Sequence, residues 1–145
     1  MTNPFFLSPV SVTDVSSIIL LLNVNKSVGP NSIPIYLIKL LNKYISIPLS
    51  SLINESFSSG IFPNKLKIAK VTPIFKKGPR ADKNNYRPIS VLSIFGKIFE
   101  KLMYTRLYKY FELHNVLYEL QFGFRSNTST SHALSMTENL KKVPG

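Results

Sequence analysis

Apolar residues in the first sixty positions recur at helical spacing in three stretches. Ser11 and Asp14 have the spacing of a capping box, which predicts a helix over about 12–23. Turn residues occupy 23–32, and two further stripes predict two more helices, the last ending near Gly60. The stripes consist of Ile35, Ile38, Leu41 and Ile45, and of Leu49, Leu52, Ile53 and Phe57. Residues 1–64 are therefore predicted to form three packed helices.

After residue 64 the apolar period changes to two, which is typical of a strand. Ala69, Val71, Pro73 and Phe75 alternate with Ile68, Lys70, Thr72 and Lys76. Residues 86–92 are the natural return strand, and the polar segment 78–85 predicts the tip of a hairpin over about 67–92. Because Pro73 has no N–H to donate, we expect an edge strand or a two-stranded ribbon that projects from the body.

Residues 93–145 return to the helical period. An apolar stripe of nearly five turns predicts that the longest helix of the chain follows the hairpin. Its members are Phe95, Ile98, Phe99, Leu102, Met103, Leu107, Tyr110 and Phe111. Residues 121–125 predict a compact turn, and candidate N-caps in 126–130 predict a last helix from about 129 to 141. The predicted fold class is α+β, mostly helical with one basic hairpin.

The positive charge is concentrated in and around the hairpin. The 145 residues carry 18 Lys and Arg against 7 Asp and Glu, a net charge of +11. Within 65–87 there are eight basic residues and one acid, Asp82. This density predicts a surface that faces a polyanion, although a solvated face that only aids solubility stays open. Prolines interrupt the run, so we expect no amphipathic membrane helix and no membrane partner.

Composition excludes several kinds of site. The chain has no cysteine, which excludes disulfides, cysteine-ligated metals and thiol nucleophiles. Asp14 and Asp82 are the only aspartates, and the five glutamates are isolated, so we expect no catalytic residue and no metal site. His114 and His132 stand alone and fit surface or core positions better than ligand positions. The absence of a long apolar run or a basic leader predicts an intracellular protein, cytoplasmic or nuclear and not secreted.

Three blocks of sequence then carry a resemblance to a known family. They are residues 26–34, which read KSVGPNSIP; residues 61–92, which include KKG and NYRPISVL; and residues 121–134, which begin QFGFR. With these blocks the chain resembles, over about 8–142, the N-terminal fingers part of the reverse transcriptase of non-LTR retrotransposons, the jockey-like and long-interspersed-element polymerases. The family usually has Gly-Pro-Asp-Gly where this chain has Gly29-Pro30-Asn31-Ser32, a conservative exchange in a turn.

The resemblance implies a right-hand polymerase whose basic hairpin folds over the incoming nucleotide. Lys76, Lys77 and Arg87 are then expected at its triphosphate, since guanidinium offers bidentate donors and lysine a point charge. Which of the two lysines makes the contact stays open, as does a purely structural ion pair for Arg87. Further phosphate contacts are expected from Lys70, Arg80 and Lys83.

The turn at 121–125 is expected, by the same resemblance, along the template strand. Gln121, Phe124 and Arg125 are the residues concerned, with Arg125 on backbone phosphate. Phe124 either stacks on a base or packs in the core, and the core is the better fit for a phenylalanine. Tyr86 is similarly open between packing under the hairpin and meeting the nucleotide.

The sequence thus predicts a partial reverse transcriptase domain with three regions. N-terminal helices occupy 1–64 and the basic fingers hairpin occupies 65–92. The long helix, the turn and the last helix follow in 93–145. Its expected partners are RNA template, DNA primer and deoxynucleoside triphosphate. The complete parent enzyme is expected to use Mg²⁺, and this chain to bind no cofactor itself. The family's first palm strand, with a metal-binding aspartate, would begin at about 141–145, so we expect a truncated palm and no polymerisation by this chain alone. Whether it is an enzyme stays open.

Two alternatives accompany this interpretation. One is a non-catalytic basic module that binds nucleic acid without regard to nucleotide. The other is a poorly folded product of a decayed element, which would expose apolar surface that a complete enzyme buries.

Overall fold

The computed structural model describes residues 7–25, 29–31, 33–118, 120–123, 125, 128–129, 131 and 134–135. Its elements are helices α1 (Val12–Leu21), α2 (Ile35–Leu40) and α3 (Asn42–Ser59), strands β1 (Ala69–Phe75) and β2 (Tyr86–Leu92), and helix α4 (Ile94–Leu113). Short 3₁₀ turns lie at Asn64–Leu66 and Lys83–Asn85. The α+β class is confirmed. The chain divides into two compact units, 1–107 and 108–145.

The three predicted N-terminal helices are confirmed, with shifted bounds. The capping box at the start of α1 is present, because Ser11 Oγ accepts from Asp14 N and Asp14 Oδ2 accepts from Ser11 N, both at 3.0 Å. The helix ends two residues earlier than predicted, at Leu21, where Asn23 Oδ1 accepts from the N–H of Asn25 and forms a local turn. A single residue, Leu41, separates α2 from α3, so Ile45 belongs to α3.

A compact apolar core joins α1, α3 and α4 within residues 1–107. Six of its side chains are at most 2% exposed: Val15, Ile19, Ile53, Ile98, Phe99 and Leu102. The ring of Phe62 meets that of Phe99 edge-on at 5.5 Å. Full burial of such side chains contributes about 1.5–3 kcal/mol each. The long predicted helix is confirmed as α4, of 20 residues, whose buried start is capped by Ser93 Oγ accepting from Gly96 N at 3.1 Å.

Two polar side chains fasten the segment before α1 to this core. Asn54 of α3 pairs with the backbone of Val10, its Oδ1 accepting from the N–H at 2.6 Å and its Nδ2 donating to the carbonyl at 2.9 Å. Arg106 of α4 donates to the carbonyls of Ser8 and Pro9, at 2.7 and 3.0 Å, and forms an ion pair with Asp14 at 3.0 Å. We call Asn54 and Arg106 the N-terminal clamp.

The predicted hairpin is confirmed as an antiparallel two-stranded ribbon. Its register runs from Ala69 opposite Leu92 to Phe75 opposite Tyr86. Ten of the fourteen strand residues are exposed, including Val71 and Ile74, and the other four are half-buried. Pro73 thus lies in a two-stranded ribbon, one of the two arrangements that the sequence predicted.

Gly29 joins the turn after α1 to the base of the ribbon. A β-carbon on Gly29 would lie 2.3 Å from the carbonyl oxygen of Leu92 and 2.8 Å from the Cα of Ser93. The backbone of the turn therefore rests directly on the junction between β2 and α4. Close approach, and not an unusual dihedral angle, is the reason for glycine here.

The predicted last helix over 129–141 lies largely outside the described residues. None of the helices in the described ranges is long and apolar enough to cross a membrane.

We predict that Gly29→Ala destabilises the fold by about 1–3 kcal/mol, because the added methyl must displace backbone that is already in contact. Urea denaturation followed by circular dichroism measures the change. Gly123→Ala is the matched control, since nothing lies within 4 Å of a β-carbon at Gly123. Equal urea midpoints for Gly29→Ala and the unmodified chain would contradict the contact at the base of the ribbon.

We predict that Asp14→Asn lowers stability at neutral pH and that this difference disappears in acid. Hydrogen bonds from the backbone N–H of Ser11, its hydroxyl and Arg106 lower the pKa of Asp14 below its ordinary value of 3.8, against the opposing effect of burial. The stabilisation is therefore complete above the unfolded-state pKa and is lost as pH falls through the folded one.

The expected difference near pH 7 is about 0.5–1 kcal/mol, as for other capping residues. Urea midpoints of both proteins, measured from neutral pH down to about pH 3, follow its loss. Glu55→Gln serves as control, because Glu55 is exposed and its carboxylate has no partner among the described residues. If the stability difference between Asp14→Asn and the unmodified chain persists unchanged in acid, the effect comes from the altered side-chain geometry and not from the lost charge.

Candidate nucleic-acid interface

The register of the ribbon divides its side chains between two faces. Residues directly opposite each other in an antiparallel pair project to the same side, and successive residues alternate. One side, which we call the cationic face, carries Lys70, Thr72, Ile74, Lys76, Arg87, Ile89 and Val91. The other, the aromatic face, carries Ala69, Val71, Pro73, Phe75, Tyr86, Pro88, Ser90 and Leu92. Three of the predicted phosphate-contacting residues therefore share one face.

Lys76 and Arg87 are close neighbours on the cationic face. Arg87 is opposite Ile74, and the ladder continues one pair beyond β1 because Lys76 N donates to Asn85 O at 2.8 Å. Lys76 is thus the diagonal neighbour of Arg87, at a separation of about 7–8 Å. Lys70 lies six residues back along β1, roughly 20 Å from Lys76. A single phosphate group can reach Lys76 and Arg87 together but not Lys70.

The loop at the tip of the ribbon is held by its own hydrogen bonds. Asp82 Oδ1 accepts from Asn84 N at 2.9 Å, and Asn85 Nδ2 donates to the carbonyl of Pro79, also at 2.9 Å. Gly78 has a φ of +92°, a backbone conformation that favours glycine. Asp82, the one acid among 65–87, is thus engaged with backbone. Lys77 and Lys83 project from the loop into solvent.

Arg80 and Tyr86 are part of the packing at the end of the aromatic face. The rings of Phe75 and Tyr86 meet edge-on at 5.5 Å, and the Tyr86 hydroxyl donates to the Arg80 carbonyl at 2.9 Å. The guanidinium of Arg80 lies over the Phe75 ring, 5.3 Å from its centre. The sequence left two roles open for Tyr86, packing under the hairpin and meeting the nucleotide. These contacts support packing. Arg80 differs from Arg87 in having an aromatic partner.

The remaining cations of the ribbon have no internal counterion in the part of the chain that the structure describes. Lys70, Lys76, Lys77, Lys83 and Arg87 are exposed and make no side-chain hydrogen bond or ion pair there. The ion pair between Arg106 and Asp14 is the one found among the described residues. A structural ion pair for Arg87, the alternative that the sequence left open, has no partner in these ranges.

The turn at 121–125 belongs to the second unit and closes on itself. Arg125 Nη1 donates to the carbonyl of Tyr118 at 3.2 Å, and Gln121 Nε2 donates to that of Gly123 at 3.2 Å. Thr128 Oγ1 lies 2.8 Å from the Phe122 carbonyl and 2.9 Å from that of Arg125. The compact turn is thus supported by contacts of Gln121 and Arg125, whereas Phe124 lies outside the described residues.

The acidic residues that the structure describes do not cluster as metal ligands. Among the described residues there is no cluster of three or more His, Cys, Asp or Glu. The two aspartates serve separate structural roles, Asp14 at the start of α1 and Asp82 in the ribbon tip. His114 lies against Tyr110, with ring centres 4.4 Å apart, and His132 lies outside the described residues. The donor set described here does not fit a two-metal site.

Sequence reasoning missed the placement of Ile74 and Ile89 between the cations. Ile74 is opposite Arg87, and Ile89 is opposite Thr72, so the cationic face is also half apolar. The signal was available, because pairing the two strands from the tip outward places every residue of 86–92 on a face. The N-terminal clamp was missed for another reason: its partners are 44 to 98 residues apart in the chain.

Comparison with known proteins gives consistent matches, although no protein-family model matches the chain. The RNA-directed DNA polymerase from mobile element jockey of Drosophila melanogaster is 31% identical over 134 residues, 92% of this chain and 15% of that protein. Probable RNA-directed DNA polymerases from transposon BS and from transposon X-element of the same species are 31% and 29% identical, over 86% and 88% of this chain. The chain spans about one seventh of the length of these relatives. The resemblance to the reverse transcriptases of non-LTR retrotransposons is confirmed.

Proposed function

We propose, from the premise that this chain is a relative of the RNA-directed DNA polymerases of non-LTR retrotransposons, that it forms the fingers region of a right-hand reverse transcriptase. In this proposal residues 1–64 are the supporting helices and 65–92 the phosphate-binding ribbon. Residues 93–145 lead through the long helix and the turn toward a palm. Its partners are RNA template, DNA primer and deoxynucleoside triphosphate, and its site of action is intracellular, cytoplasmic or nuclear.

The pairing of Lys76 with Arg87 carries the proposal. Both side chains lie on one exposed face, within reach of a single phosphate chain, and neither has an acidic partner in the described ranges. The guanidinium supplies two parallel donors to phosphate oxygens, and the ammonium adds a compact positive charge beside it. We therefore assign the triphosphate to Lys76 and Arg87, which favours Lys76 over Lys77.

The other basic residues of the ribbon take secondary parts in this proposal. Lys77, Arg80 and Lys83 surround the tip and attract anions over a longer range, and Lys70 meets a separate phosphate further along β1. Such sequence-independent charge raises the rate of encounter with nucleic acid and its salt dependence.

The turn at 121–125 is proposed to lie along the template strand. Arg125 uses one guanidinium nitrogen on the Tyr118 carbonyl and keeps its remaining donors for backbone phosphate. Gln121 and Phe124 extend the same contact, with Phe124 packing or stacking beside it.

The chain is proposed to bind nucleotide and nucleic acid without polymerising alone. Nucleotidyl transfer by two metal ions needs carboxylates that hold both ions about 3.5–4 Å apart. Asp14 and Asp82, the two aspartates of the sequence, are engaged in a helix cap and a loop turn. The Mg²⁺ of the parent reaction therefore has no ligand set in the described residues, and its aspartates would belong to a palm.

We predict that Arg87→Ala lowers affinity for a deoxynucleoside triphosphate about ten- to hundredfold, because a charge-assisted contact of about 1.5–3 kcal/mol is lost. Titration calorimetry with dNTP measures this change, and anisotropy of a labelled single-stranded RNA is measured in parallel. The RNA affinity is expected to stay nearly unchanged. Arg87→Lys keeps the charge but not the bidentate geometry, so its dNTP affinity is expected to lie between those of the unmodified chain and Arg87→Ala.

Lys43→Ala is the matched control, since it removes one exposed positive charge from α3, outside the ribbon. If Lys43→Ala weakens dNTP binding as much as Arg87→Ala, the effect is general electrostatics and the triphosphate site is wrong. If Arg87→Ala weakens RNA and dNTP equally, the non-catalytic nucleic-acid-binding module is the better description.

We predict no nucleotide incorporation by the purified chain in a primer-extension assay on an RNA template with Mg²⁺ or Mn²⁺. A heat-killed sample sets the background, and RNA binding measured on the same preparation shows that the protein is competent. Incorporation above that background would mean that carboxylates of this chain do hold the catalytic metals.

A further inference from the structure

The two prolines of the ribbon face each other, and their position in the hydrogen-bond ladder is fixed by the register. Pro73 is opposite Pro88. The bond from Lys76 N to Asn85 O shows that Lys76 and Asn85, which are also opposite each other, form a hydrogen-bonded pair. Since hydrogen-bonded and non-hydrogen-bonded pairs alternate along an antiparallel ladder, Pro73 and Pro88 form a non-hydrogen-bonded pair. Neither proline therefore removes a bond between β1 and β2.

In such a pair the backbone nitrogens point away from the partner strand, toward the two outer edges of the ribbon. Pro73 thus deletes a donor at the middle of the β1 edge, and Pro88 does so on the β2 edge. The outward N–H groups next to the prolines belong to Val71 and Phe75 on β1 and to Ser90 on β2. An added strand would meet proline ring atoms where each edge should offer an N–H.

The faces of the ribbon make this protection relevant. Ile74 is 48% exposed, Ile89 is 46% and Val71 is 60%, so both faces carry apolar side chains in solvent. Two strands with exposed apolar residues and unpaired edges are the usual template for pairing with another chain. Proline at an edge is a known means of preventing it.

We propose that Pro73 and Pro88 together close both edges of the ribbon to strand addition by a second copy of this chain. The ribbon can then keep apolar and cationic side chains exposed on its faces without joining other ribbons through its backbone. The inference rests on the register and on the exposed apolar side chains of the two faces, and it is independent of the proposed nucleotide site.

Restoring the donors tests the proposal. Pro73→Val opens the β1 edge and is expected to give a concentration-dependent dimer, because one open edge pairs with its copy in a closed twofold arrangement. Pro88→Val opens a shorter edge, since the N–H of Tyr86 is already used by the Lys83 carbonyl, and is expected to dimerise less. The double variant has two open edges and is expected to form species larger than a dimer.

Sedimentation velocity over a wide range of protein concentration, at high salt to screen the net charge of +11, measures these masses. Thr72→Val/Ser90→Val is the matched control, because it adds two β-branched apolar side chains to the faces and leaves the edge donors unchanged. Circular dichroism of each single variant shows whether the helices are retained, so that association of a folded chain is what is measured.

Both single variants sedimenting as the unmodified chain, with helices intact, would overturn the proposal. It is equally overturned if the Thr72→Val/Ser90→Val control associates as strongly as the proline variants, since apolar surface and not edge donors would then control association. Should the double variant fail to fold, the ranking of Pro73→Val above Pro88→Val remains the deciding observation.

Discussion

The backbone register between β1 and β2 decides which side chains of this chain can act together. With Phe75 opposite Tyr86, Lys76 and Arg87 become neighbours on one face, and Pro73 meets Pro88 where no ladder bond is needed. A slip of one residue would move every side chain of one strand to the other face. The edge-on contact of Phe75 with Tyr86 and the Tyr86 hydroxyl on the Arg80 carbonyl hold the tip in this register.

The helical body meets the base of the ribbon at a point where backbone packs closely on backbone. The turn at Gly29 rests on the Leu92–Ser93 backbone, and Ser93 caps α4 directly after the strand. The core therefore ends where the ribbon begins. The helices also leave apolar side chains exposed, with Leu40 and Tyr44 more than 70% exposed. A positive charge of +11 opposes self-association through such surface.

Local patterns were enough to predict most of the fold, because they depend on neighbours in the chain. The capping box of Ser11 and Asp14, the alternation after residue 68 and the stripe of α4 each involve residues a few positions apart. The N-terminal clamp could not be predicted, since nothing local distinguishes Arg106 from the other basic residues of the chain. The faces of the ribbon needed only the register, which gives the diagonal positions of Lys76 and Arg87 once the tip length is known. The register places these charged side chains, whereas the proposal that they bind phosphate comes from the chemistry of guanidinium and ammonium groups.

Arg106 and Arg87 differ in whether the guanidinium meets partners within the described residues. The side chain of Arg106 is 11% exposed and donates to three backbone carbonyls and to Asp14, so its guanidinium has partners within the chain. Arg87 has the same five donors and is exposed, with none of them used in the described residues. Neither aspartate is available to Arg87, because Asp14 is paired with Arg106 and Asp82 accepts from the backbone of the tip. The positive charge of the ribbon is therefore not compensated by a carboxylate within the described residues, and the same residues offer no cluster of acids to a metal ion.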